Sequence, residues 1–264
     1  MAPADQRFLG VARLLGEHAA RRLASAHVAV VGLGGVGSWA VEALARTGVG
    51  ALTLVDDDQV MLSNFNRQVH ALDRTLGQSK VQAMADRIHA IHPDCQIRTL
   101  RCRVGESDDS VNVDWLTGVH HVVDAIDAPA CKARLISLCH RRGIPIVTSG
   151  AAGARTDPTR LRIADLAQAT HDRLLAQVRT LLRRHHGFPR GSAPFGILCI
   201  HSLETPLASA PPGAAAAPGA ELEAEHGPRG EHTRGYGTAG FVTGAFGFAL
   251  AAVVVRRSFS EGGR

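Results

Sequence analysis

The chain has 264 residues, 45% hydrophobic and 20% charged, which fits a globular protein with a substantial core and excludes a disordered one. The net charge of +5 and a pI near 9.3 permit an anionic partner such as RNA without requiring one. The five cysteines (Cys95, Cys102, Cys131, Cys139, Cys199) are odd in number and form no C-x-x-C pair, which argues against a secreted disulfide framework and a four-cysteine zinc site.

The N-terminal stretch "MAPADQRFLG" carries no apolar signal region, so a cytoplasmic placement is expected. The run "HVAVVG", His27 to Gly32, reads as a buried parallel strand, and "SWAVEALARTG" as a helix ending at Gly48. "ALTLVD", Ala51 to Asp56, is the next strand, and "SKVQAMADRIHAIHP" a helix stopped by Pro93. Strands follow at "CQIRTLRC" and at "HHVVDAID", which ends on Asp127. "PACKARLISLCHRRG" is a helix with Pro129 in its first turn, and "IPIVTSG" a strand. Repeated strand–helix units of this size predict an α/β, Rossmann-like, mostly parallel sheet with helices on both faces.

After Gly150 the pattern changes into a C-terminal extension. "ADLAQATHDRLLAQVRTLLRRHHG" is expected to be a helical excursion and "FGILCIHS" a further strand. The Ala/Pro-rich segment 206–232 cannot bury a core and is expected to be a mobile loop. The apolar run "GTAGFVTGAFGFALAAVVV", Gly237 to Val255, has nearly the length of a membrane span. Its Gly and Ala content favours a buried helix, with membrane contact as the alternative. The chain is therefore read as one domain over 1–264, with a core about 25–150 and a further region about 151–264.

Chemistry enters at Gly32-Leu33-Gly34-Gly35-Val36-Gly37, a G-x-G-x-x-G between a strand and a helix. Its glycines allow a tight turn, close phosphate approach and close helix packing, and the helix N-terminus offers free N–H groups to an anion. Asp56 ends the second strand and can accept from ribose hydroxyls, whether of NAD or of ATP. Asn64 and Arg67 in "SNFNRQ", Lys80 in "GQSK", and Asp127 sharpen the choice. Two cations and Mg²⁺ balance the roughly −4 charge of a triphosphate, whereas hydride transfer requires no such cluster.

As an ordered set, "GLGGVGS", "TLVDDDQVMLSNFNRQ", "GQSK" and "VVDAID" resemble the ubiquitin-activating-enzyme-like (ThiF/MoeB-like) adenylyltransferases. Within them, "RFLGVARLLG", "GIPIVTSGAAG" and "GFVTGAFGF" resemble the tRNA threonylcarbamoyladenosine dehydratase branch. The resemblance implies that Gly32, Gly34, Gly35, Gly37, Asp56 and Asp58 hold ATP. It implies that Asn64, Arg67 and Lys80 address its phosphates, and that Asp127 assists Mg²⁺. Arg13 in "RLLG" resembles an arginine lent across a homodimer. The implied activity is ATP-dependent cyclisation of threonylcarbamoyladenosine beside the tRNA anticodon, through an acyl-adenylate. The implied partners also include a monovalent cation and a cysteine-desulfurase-related sulfur-acceptor protein. The alternative is adenylation of the C-terminal carboxylate of a small sulfur-carrier protein, and an NAD-dependent oxidoreductase is the reading from another class.

Several other residues admit bland readings. Cys199 could handle sulfur, but its alternating surroundings suggest a strand core position. His89 and His92 lack a third ligand nearby and read as an ordinary exposed turn. Arg179, Arg183, Arg184 and Arg190, with His185 and His186, could bind RNA phosphates or form a solvated helix end.

Overall fold

A computed structural model of the chain describes residues 5–104, 113–207 and 237–260. The expected mobile loop lies outside the described residues from position 208 onward. Two short helices open the chain, α1 (Leu9–Leu15) and α2 (Glu17–Ser25). A strand–helix series follows: β1 (His27–Val31), α3 (Gly35–Arg46), β2 (Ala51–Val55), α4 (Lys80–Ile91), β3 (Gln96–Leu100), β4 (His121–Asp124), α5 (Pro129–Arg141) and β5 (Ile146–Ser149). The second half adds β6 (Leu161–Asp165), α6 (Arg173–His185), β7 (Leu198–Ser202) and α7 (Gly240–Ser260).

The strands form one sheet in the order β3-β2-β1-β4-β5-β7-β6. All neighbours are parallel except β6, which pairs antiparallel with β7. Strands β1, β2, β4 and β5 are mostly apolar and buried along almost their whole length because both of their faces are covered. One core layer joins α2, α3, α4 and α7 to the sheet, and a second joins α5 and α6 to its other face.

Three sequence expectations need correction. The helical excursion does not begin at Ala164: Leu161–Asp165 is the edge strand β6, and the helix starts at Arg173. Asp165 is the turning point, since its carboxylate accepts from Ala167, Phe195 and Gly196 backbone N–H groups. β4 ends at Asp124, so Asp127 lies in the following loop and not on the strand. His92 is buried rather than exposed, with the Phe8 ring edge-on at 4.7 Å.

The apolar C-terminal run is α7, and half of its most apolar stretch is buried. It lies against α3 so closely that a Cβ at Gly247 would stand 2.6 Å from the Val36 carbonyl oxygen and 2.7 Å from Trp39 Cβ. Its Gly and Ala content is thus explained by close helix packing, which small residues permit.

Candidate functional site

β1 and β4 are neighbours from which the chain leaves toward opposite faces of the sheet, a topological switch point. Crevices at the carboxyl ends of such strands are where α/β proteins bind ligands. The glycine loop leaves β1 at this point and the Asp124–Asp127 segment leaves β4 beside it. The two touch: Gly32 has φ +87°, and a Cβ there would come 2.9 Å from the Ala125 carbonyl. A Cβ on Gly37 would overlap the Gly32 carbonyl oxygen, so α3 can follow the turn directly only without one. A Cβ on Gly34, by contrast, would have no neighbour within 4 Å. Gly34 is also the N-cap of α3 and provides no side-chain cap. Among the described residues no acceptor takes the first N–H groups of α3, and the positive end of the helix dipole lies behind them, which suits a phosphate.

Asp56 flanks this turn. One carboxylate oxygen accepts from Leu33 N–H at 2.6 Å and the other from Asp58 N–H at 2.9 Å. Each retains acceptor capacity for a ribose hydroxyl. Burial pushes the Asp56 carboxyl up from its ordinary range, opposed by the nearby Lys80 charge. Lys80 begins α4, is 5% exposed, and donates to Asp58 at 2.7 Å. Asp56, Asp57 and Asp58 bring carboxylate oxygens within 4.8 Å of one another.

Arg67 reaches the glycine loop from the other side, its Cγ 3.3 Å from where a Gly35 Cβ would be. Its guanidinium donates to Ser63 O at 2.6 Å and Asn66 Oδ1 at 3.0 Å. Its carbonyl accepts from Trp39 Nε1 at 2.9 Å and Thr243 Oγ1 at 3.3 Å. α3 and α7 therefore hold the backbone of the "NRQ" turn in place. Asn64 is buried, and its Oδ1 accepts from Met61 N–H, so that oxygen shapes the turn itself.

Asp127 is exposed three residues past β4. The buried acid of that strand is Asp124, which pairs with Lys132 at 2.9 Å, both fully buried. Thr148 closes the triangle, donating to Asp124 at 2.7 Å and accepting from Lys132 at 2.9 Å. Asp124 also accepts from Ile126 N–H at 3.1 Å, which fixes the loop carrying Asp127. The sequence signal for this cluster was Lys132 itself, a cation sharing a helix face with Leu135, Ile136 and Cys139.

The remaining candidates fall elsewhere. Arg13 is exposed on α1, and among the described residues no hydrogen bond or ion pair joins it to this group. Arg184 and Arg190 are exposed, whereas Arg179 and Arg183 are half-buried and turn inward. Arg183 donates to Pro189 O and Gly191 O and lies over Phe195 at 5.2 Å, and Arg179 donates to Leu166 O. Cys199 is fully buried, and burial pushes its thiol up to about 12, so it is a core residue and no thiolate at neutral pH.

Comparison with known proteins identifies the family. The ThiF family model matches residues 6–255. A tRNA threonylcarbamoyladenosine dehydratase of Escherichia coli (strain K12) is 41% identical, over 98% of this chain and 96% of its own length. The solved E. coli dehydratase in complex with ATP superposes with a TM-score of 0.84 at 38% identity, over 99% of this chain and 98% of that one. A molybdopterin-synthase adenylyltransferase of Salmonella typhimurium is 38% identical, but over only 49% of this chain and 51% of its own. The chain belongs to the ThiF family.

Proposed function

We propose that this protein is an ATP-dependent tRNA threonylcarbamoyladenosine dehydratase. The observation that carries the reading is the open N-terminus of α3 at the switch point, with Asp56, Arg67 and Lys80 around it. Similarity to the tRNA dehydratases over nearly the whole chain, and to a molybdopterin-synthase adenylyltransferase over only half of it, favours tRNA as the acceptor.

In this reading residues 1–264 act as one adenylyltransferase domain in the cytoplasm, as a homodimer. The N–H groups of α3 take a phosphate, Asp56 takes the ribose, and Arg67 and Lys80 balance the triphosphate charge. Lys80 is pre-set by Asp58, so it reaches the nucleotide without first being ordered. Asp127 is an exposed oxygen donor of the hard type that Mg²⁺ prefers. The metal, when bound there with ATP, would neutralise phosphate charge.

The carboxylate of the modified base attacks the α-phosphorus, a P–O bond to pyrophosphate breaks, and an acyl-adenylate forms. A nucleophile within the same side chain then attacks the acyl carbon, closes an oxazolone ring and releases AMP. An intramolecular nucleophile requires no enzyme nucleophile, because its effective concentration is already high. The inert Cys199 fits that chemistry. AMP release measured with ATP and tRNA, against ATP and a small carrier protein, tests the choice of acceptor. AMP formed only with the carrier would reverse it.

A further inference from the structure

The two helices of the second face share an unusual charge pattern. No Asp or Glu occurs between Asp127 and Asp157, or between Asp172 and Glu204. These stretches contain α5 and α6, which pack side by side. On α6, Arg173, Gln177, Thr180 and Arg184 are all exposed. Their spacing places them on one stripe, about 16 Å long.

The stripe begins at the nucleotide edge of the sheet. The Asp172 carboxylate caps Leu175 N–H and accepts from Ala151 N–H just past β5, which seats the start of α6 there. It ends beside the last turn of α5, where Phe188 lies 4.8 Å from the His140 ring. Arg141 and His185 are close enough there to hold the His186 pKa down, after burial. Arg183 grips the carbonyls of Pro189 and Gly191, which fixes the loop that presents Arg190 to solvent.

Helix dipoles explain only part of this. Cations at the C-terminal ends of α5 and α6 are favoured by the dipole, but Arg173 stands in the first turn of α6, where a cation is disfavoured, and the one acid beside it, the N-cap Asp172, is buried and turned to Leu175 N–H, Ala151 N–H and Arg155. Positive charge at both ends of the stripe, neutral polar residues between them, and no exposed acid on either helix match a linear anion.

We propose that the outer face of α5 and α6 is a track for an RNA backbone, with Arg173, Arg184, Arg141 and Arg190 contacting phosphates. This rests on the tRNA reading and extends it: the RNA enters the reaction at the carboxyl edge and continues down this face. Arg179 and Arg183 support the track from within.

The test is filter retention of an unmodified tRNA transcript across a salt series. The R141A/R173A/R184A protein is compared with the parent and with R21A, which removes an exposed charge on α2, on the other face. The triple variant should bind at least about tenfold more weakly at low salt, with a salt slope shallower by about 2–3. R21A should match the parent, and ATP affinity should be equal in all three. Equal tRNA affinity and slope in R21A and the triple variant would overturn the track. So would a triple variant that keeps tRNA affinity and loses affinity for a polyaspartate probe, which would assign the face to an acidic protein. Parent protein that retains tRNA on this face but dehydrates no nucleoside would contradict the functional reading and leave the track standing.

Discussion

Asp127 and Arg67 are the residues whose removal should separate chemistry from folding. Asp127 is exposed, and the Arg67 side chain holds only its own turn. Asp127→Ala and Arg67→Ala should each abolish AMP formation while the thermal midpoint stays near that of the parent; turnover surviving either change would show the site to be misassigned. His70 behaves in the opposite way. It is 1% exposed, neither ring nitrogen has a hydrogen-bond partner, and it lines a cavity of about 450 Å³ along α4. Burial, with the charges of Lys80 and Arg87, pushes its pKa down to about 4 from 6.5. The folded state thus resists a proton that the unfolded chain accepts. Stability is complete above pH 6.5 and is lost as the pH falls toward about 4, by roughly 3 kcal/mol. Denaturant titrations over that range should show the loss in the parent and a flatter profile in His70→Gln.

At the scale of elements, the Lys132–Asp124–Thr148 triangle ties α5 to β4 and β5 and holds the loop that carries Asp127. Lys132→Ala leaves a buried carboxylate unpaired and should cost about 3–5 kcal/mol, read as a lower denaturant midpoint at unchanged slope. On the other face, Glu42 accepts from Arg46 on α3 and from Arg87 on α4 at 2.6–3.0 Å and joins the two helices. Glu42→Ala should cost about 1–3 kcal/mol by the same measurement, less because its arginines are partly exposed.

From His27 to Ser149 the strands and helices were legible in the sequence, β1, β2, β4 and β5 because burial on both faces selects mostly apolar residues. β6 was not: LRIAD is mostly exposed like the other edge strand β3, and its Ala164 and Asp165 open a run that reads as helix. The glycine loop, Asp56 and Lys80 were legible as a motif. The roles of Trp39 and Thr243 in holding Arg67 were not, since they arise from packing between α3 and α7, far apart in sequence.

For the whole molecule, the sheet's switch point determines where the nucleotide goes, and the acid-free α5–α6 face determines where a long anion would lie. The N-terminal helices add a further expectation. Phe8, just before α1, packs on His92 and against Gly48, at the ends of α4 and α3 remote from the glycine loop. Arg13 is exposed on α1, and in the proposed homodimer it would serve a second copy of the chain. Mixing inactive Arg13→Ala and Lys80→Ala proteins should restore AMP formation through hybrid dimers, whereas no recovery would confine Arg13 to its own subunit.

The most direct test is mass spectrometry of tRNA nucleosides after incubation with this protein, ATP and Mg²⁺. The expected result is threonylcarbamoyladenosine lighter by one water, with AMP formed in step. Unchanged threonylcarbamoyladenosine, with AMP formed only when a small carrier protein is present, would contradict it.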